Sequence, residues 1–198
     1  PSGNFGNAYS AWFGRSNGLP VSEIFCSTNV NDVLRRFIDG GVLEPLVTQP
    51  SVAPSMDIQI PSSLERLIFD LSDEVKEFYV QLQSNSKAQL DKKSFDALKS
   101  IFSSFTFTDD MITTLITSLH TDFDIIFDPH SVTSVQMALD NDSSLPTVAV
   151  ATASPEKFGN VISPLINGFT ESKIDQKEQY LTLNTENTVI IEAIKAFI

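Results

Sequence analysis

The run Pro1-Ser2-Gly3-Asn4-Phe5-Gly6-Asn7 places two glycines three residues apart and leads straight into a helical pattern. Glycines at that spacing let the backbone turn sharply and bring successive N–H groups toward one bound anion. A helix from about Ala8 to Ser16 adds its free first-turn amides and the positive end of its dipole at the same point. The chemistry available here is the grip of a phosphate or a carboxylate; a Gly-x-x-Gly run that only makes a turn is the plainer alternative. A second candidate pair, Thr152 and Ser154, stands between an apolar run and a helix start. Hydroxyls at the carboxyl end of a buried strand lie where open α/β sheets bind ligands. Capping by Ser154 and the β-propensity of Thr152 explain the same residues without a ligand.

Other chemistries are poorly supplied. Cys26 stands alone in an apolar stretch, so no disulfide within the chain is possible and a small core residue is expected. His120 and His130 cannot build a zinc site without carboxylate help. A net charge of −12 opposes nucleic acid and anionic lipid as partners, though it leaves room for a small anion held by backbone amides. With 41% hydrophobic and 19% charged residues, 15 of them phenylalanine among the former, the chain has the composition of a globular protein. No apolar run approaches the roughly 20 residues of a membrane span, and no secretory signal is present. A cytoplasmic, metal-free protein is expected.

The elements that must position these residues follow an α/β rhythm. The first helix is stopped by Asn17-Gly18-Leu19-Pro20 and followed by a strand over Val21–Cys26. A helix opening at Asn29, with Asp32 three residues on, presents Val33, Leu34, Phe37 and Ile38 and ends at Gly40-Gly41. A proline-rich connection runs from Leu43 to Pro61, long enough to suggest a functional segment. Ser62-Ser63-Leu64-Glu65 starts a helix with Leu64, Leu67, Ile68 and Leu71 on one face, a pattern resumed at Val75, Phe78, Tyr79 and Leu82. Two further helices are predicted, one with Phe95, Leu98, Ile101, Phe102 and Phe105, the other capped by Thr108 with Met111, Ile112, Leu115, Ile116 and Leu119. Residues 73–122 thus read as a helical insertion without a strand. Beyond it come a strand Ile125–Phe127, a helix with Asp128 as cap and Pro129 in its first position, and a buried parallel strand Thr147–Ala151. Ser154-Pro155 opens the next helix, residues 168–186 are polar, and a last helix spans Asn187–Phe197. The expected divisions are 1–72, 73–122 and 123–198.

Taken in order, six segments resemble threonine synthase, a pyridoxal-phosphate enzyme of fold type II. They are Pro1–Asn7, Cys26–Asp32 (Cys-Ser-Thr-Asn-Val-Asn-Asp), Pro54–Gln59, Ser63–Arg66, Asp128–Ser131 and Ala151–Phe158. The resemblance covers essentially the whole chain and corresponds to the C-terminal half of the family's sequence. Asparagine is common in the family at Ser63-Leu64, histidine near Ser154 and threonine at Ser131. The fold it implies is α/β, part of a mainly parallel sheet flanked by helices with a helical insertion.

The resemblance also implies roles. Gly3, Asn4, Phe5, Gly6 and Asn7 correspond to the cradle for the cofactor's phosphate, and Thr152 to the hydroxyl that meets its pyridine nitrogen. Ser55, Asp57 and Arg66 fall in segments that form the active-site wall. Arg66 could fork onto a substrate anion or pair with a carboxylate on its own helix. The implied reaction converts O-phosphohomoserine and water to threonine and phosphate. The Schiff-base lysine belongs to a motif of the family's N-terminal half, and none of the nine lysines here stands in that motif. The chain alone is therefore expected to be inactive, to require the N-terminal portion as its partner, and to be marginal in stability or to associate. A catalytically silent binding or scaffold protein of the same family is the alternative.

Overall fold

A computed structural model describes residues 1–170, and the helix expected over Asn187–Phe197 lies outside the described residues. Helix α1 (Gly6–Ser16) is followed by strand β1 (Ile24–Thr28), helix α2 (Val33–Gly40) and strand β2 (Val42–Leu43). After the proline-rich connection come α3 (Leu64–Leu71), α4 (Val75–Asn85), β3 (Ala88–Gln89), α5 (Lys92–Lys99) and β4 (Phe102–Thr106). The described part closes with α6 (Asp109–Phe123), α7 (Ser131–Leu139), a 3-10 turn (Pro155–Phe158) and α8 (Gly159–Ile162). Strands β1 and β4 pair in parallel, Ile24 opposite Phe102 and Thr28 opposite Thr106. Strands β2 and β3 form a short antiparallel pair. The architecture is mixed α/β, with a parallel pair flanked by helices. Among the described residues no helix is long and apolar enough to cross a membrane.

Helix α2 forms where its i, i+1, i+4, i+5 spacing puts Val33, Leu34, Phe37 and Ile38 on one stripe, and all four are buried. Burial of each contributes about 1.5–3 kcal/mol before chain entropy is subtracted. Gly41 ends it at φ 70°, a left-handed position that suits glycine, with Phe95 packed so near that an added Cβ would lie 2.8 Å from that ring. Helix α6 begins as its sequence indicates: the Thr108 side chain accepts the Met111 N–H, and Asp109 and Asp110 occupy the first turn. Two apolar clusters result. One gathers Phe5, Cys26, Leu34, Phe37, Leu64, Leu67, Leu98 and Phe102 around β1; the other gathers Met56, Phe107, Ile112, Ile116, Val132 and Ile162 around α6 and α7.

Four sequence expectations fail. Residues 73–122 contain β3 and β4, so the stretch is not strandless. Ile101, Phe102 and Phe105 extend the helical spacing of Phe95 and Leu98 by coincidence. The chain turns at Ser100-Ile101, and the Ile24 N–H donates to the Ile101 carbonyl as β1 and β4 begin to pair. Helix α2 starts at Val33 rather than Asn29, because Asn29 and Asn31 turn inward to bind the proline-rich connection. Thr147–Ala151 is neither buried nor paired as a strand among the described residues, with Val148 83% exposed. Ile125–Phe127 likewise carries no strand pairing among the described residues.

Candidate anion site

The Ser2 N–H donates to the Ser27 carbonyl at 2.9 Å, which ties the start of the loop to the end of β1. The sharp turn then falls on Phe5, not on a glycine: Phe5 has φ 69°, a left-handed backbone that costs a non-glycine residue on the order of 1–3 kcal/mol. Its fully buried ring, 5.7 Å from that of Phe102, holds it there. Gly3 serves a different need, because a Cβ at that position would lie 2.6 Å from the Ser55 carbonyl oxygen and 2.8 Å from the Met56 Cα. Asn4 binds the start of α3: its Oδ1 accepts the Ser62 N–H at 2.6 Å and the Ser62 hydroxyl at 3.0 Å, while its carbonyl accepts the Ser63 N–H. Asn7 reaches back to the Pro1 carbonyl.

From Gly3 to Ala8, six consecutive backbone N–H groups have no acceptor among the described residues; the Tyr9 N–H is the first to bond, to the Phe5 carbonyl. The first four N–H groups of a helix are ordinarily orphaned, and here two further loop amides adjoin them. Acceptors are what such a run lacks, and a phosphate supplies them. The donor set fits the cofactor phosphate that the resemblance implied.

The remaining site residues divide. Ser55 is exposed at the surface, with its backbone against Gly3 and its N–H donated to His130 Nε2 at 3.1 Å. Asp57 faces its own loop: Oδ1 accepts from Asn29 (2.6 Å), Asn31 (2.9 Å) and the Ser51 hydroxyl (2.6 Å), and Oδ2 accepts the Ser51 N–H (3.1 Å). Both its oxygens are thereby engaged within the protein. Arg66 is exposed on α3, with its guanidinium 5.8 Å from the centre of the Tyr9 ring. It does not pair with a carboxylate among the described residues. Thr152 is exposed and lies on no strand, which removes the strand-end placement expected for it; its N–H donates to the Ser131 hydroxyl at 2.9 Å. Ser154 precedes the 3-10 turn without a side-chain cap.

Sequence reasoning missed what joins these segments. Asp128 and His130, read as a helix start, form a buried pair with His130 Nδ1 2.8 Å from Asp128 Oδ1. Burial opposes ionisation of Asp128. Hydrogen bonds from the His130 ring, Ser131 and the His130 amide outweigh it and hold the carboxyl below the usual carboxylate range. Thr133 meets Ser27 hydroxyl to hydroxyl at 2.6 Å. The one signal in the sequence was chemical: polar residues standing where the apolar pattern around β1 and α7 would bury them. An open groove of about 410 Å³ between β4, α6 and α7, lined by Phe105, Phe107, Met111 and Leu115, shares no residue with the loop.

No protein-family model matches the sequence. Threonine synthase from Pseudomonas aeruginosa is 32% identical over 168 residues, covering 82% of this chain and 36% of that protein. Threonine synthase from Saccharomyces cerevisiae is 29% identical over 199 residues, covering 89% of this chain and 39% of that protein. Among solved structures, PLP-bound threonine synthase from Brucella melitensis superposes with a TM-score of 0.83 at 29% identity, covering 99% of this chain and 45% of that one. The chain spans less than half the length of the relatives it matches. In sequence and in fold together it belongs to the threonine synthase family, fold type II, and corresponds to a C-terminal portion of it.

Proposed function

We propose that this chain is the part of a pyridoxal-phosphate-dependent threonine synthase that grips the cofactor and borders the substrate. The complete enzyme, a carbon–oxygen lyase, would convert O-phosphohomoserine and water to threonine and phosphate. The observation that carries the reading is the run of six N–H groups from Gly3 to Ala8, at the start of α1, that have no acceptor among the described residues, in a chain related to a PLP-bound threonine synthase. Pyridoxal phosphate, when bound, supplies an electron sink for the bonds to be broken.

The chain's own residues do the holding. Gly3, Asn4, Phe5, Gly6 and Asn7 contribute backbone amides to the phosphate, and the N-terminal end of α1 adds favourable potential. Asn4 binds Ser62 and Ser63 just ahead of α3, bringing a second helix N-terminus beside the same loop. The Thr152 hydroxyl is assigned to the ring nitrogen: a neutral donor there leaves that nitrogen less than fully protonated. Ser55 and Arg66 remain open to the substrate side, and Asp57 shapes the wall from within.

The Schiff-base lysine is assigned to the part of the relatives' length that this chain does not span. The exposed Thr147–Ala151 run supports that division, since an apolar segment rich in β-formers is suited to pair with neighbouring strands. The assay is product analysis of the complete enzyme with O-phosphohomoserine. Equal yields of threonine and inorganic phosphate are expected; ketobutyrate in place of threonine, or no phosphate release, overturns the reading.

A further inference from the structure

Three residues in and just before the first turn of α7 each hold a different segment of the site. His130 accepts the Ser55 N–H, the Ser131 hydroxyl accepts the Thr152 N–H, and Thr133 meets Ser27, whose carbonyl accepts the Ser2 N–H. Of these, His130 acts most directly on the loop, because Ser55 is the residue whose carbonyl lies against Gly3.

We propose that His130, oriented by Asp128, is a positioning residue for the phosphate cradle: by accepting the Ser55 N–H it presses the Ser55–Met56 backbone against Gly3 and keeps the Gly3–Ala8 amides set for an anion. This inference rests on the phosphate reading of the loop.

The hydrogen-bond network fixes the tautomer. Asp128 Oδ1 accepts from His130 Nδ1, from the His130 N–H at 2.9 Å and from the Ser131 N–H at 3.4 Å. The ring proton therefore sits on Nδ1, and Nε2 keeps the lone pair that takes the Ser55 N–H. The Phe158 ring, with its centre 4.9 Å from that of the imidazole, fixes the plane of the ring. His130 is 3% exposed, so its imidazole is held in place by the protein's own groups. The contact it maintains has no slack, since even one methyl group on Gly3 would collide with it. A shift of a few tenths of an ångström in Ser55–Met56 is thus transmitted to the loop.

The test compares non-covalent binding of pyridoxamine 5′-phosphate and pyridoxamine to the full protein, alongside thermal unfolding. The ratio of the two dissociation constants reads the phosphate grip apart from the ring. The wild type is expected to prefer the phosphorylated probe, and His130→Ala to lower that preference at least about tenfold, the size of one hydrogen bond to a charged group. His130→Gln, whose side-chain amide oxygen reaches the Nε2 position, is expected to retain most of the preference. His130→Asn, which reaches only the Nδ1 position, is expected to lose it. A purely structural role would lower unfolding temperatures without separating the two probes. An unchanged ratio in folded His130→Ala, or Gln and Asn variants alike in ratio, overturns this inference while leaving the phosphate reading standing. A wild type that does not distinguish the probes overturns both.

Discussion

Gly3 lies so close against Ser55 that a single methyl group at its Cα would fall 2.6 Å from the Ser55 carbonyl oxygen. The contact joins the amino-terminal loop to a segment more than fifty residues away, and backbone on one side leaves nothing flexible to yield. Gly3→Ala is therefore expected to push the loop off the Ser55–Met56 backbone at a cost of about 1–3 kcal/mol. Urea unfolding together with phosphate binding checks this, and wild-type values in both would show that the contact is not needed.

Asp57 is the acceptor shared by Asn29, Asn31 and Ser51. Asp57→Ala leaves polar groups of a half-buried network without their acceptor, a loss of about 1–3 kcal/mol. Faster proteolytic cutting within residues 43–61 is expected alongside it. Unchanged stability with a raised KM would instead make Asp57 a substrate contact.

Arg66 is exposed, and its described contact is with the Tyr9 ring. Arg66→Ala is expected to change stability by no more than about 0.5–1 kcal/mol. If Arg66 meets the substrate anion as proposed, the complete enzyme's KM for O-phosphohomoserine rises while the fold is untouched. An unchanged KM removes it from the site.

Acid is expected to weaken the fold through Asp128 and Asp32. Burial opposes ionisation of both, but bonds from His130 and Ser131 to the first, and from Arg35 and Arg36 to the second, outweigh it and depress both carboxyls. A carboxyl lowered in the folded state contributes stability that is fully present above its ordinary range and is lost as pH falls through its folded value. Urea midpoints followed across the acid range should fall, and less steeply in Asp128→Asn. A flat profile, or a gain in stability toward acid, contradicts the assignment.

Cys26 is 1% exposed, and burial pushes its thiol up to about 12. A disulfide reagent at mildly alkaline pH should therefore modify it only as fast as the protein unfolds. Rapid stoichiometric labelling of the folded protein would contradict its burial on β1 within the core.

Much of the local structure was legible because it is encoded locally. The α2 stripe, the Thr108 cap and the loop running into α1 each follow from residues within a few positions of one another. What escaped depends on distant partners. Phe102 and Phe105 carry a helical spacing relative to Leu98, yet they form a strand because β1 offers a parallel edge seventy-eight positions earlier in the register of Ile24 and Phe102. Val148 and Val150 announce a need for burial, but burial requires a facing surface that a short run cannot specify. A tight loop ahead of α1 was readable from Gly3 and Gly6, although the left-handed turn rests on Phe5, where ring burial overrides the usual preference. Asp128 and His130 carried an adequate local explanation as a cap, and that concealed the longer reach of the imidazole to Ser55.

The most direct test of the phosphate cradle is amide nitrogen–proton correlation spectroscopy during titration with pyridoxamine 5′-phosphate, and separately with pyridoxamine. The Gly3–Ala8 amides are expected to shift together, in the direction of stronger hydrogen bonding, with the phosphorylated compound alone. Amides that stay in place while the compound binds elsewhere, or that respond equally to both compounds, would contradict it.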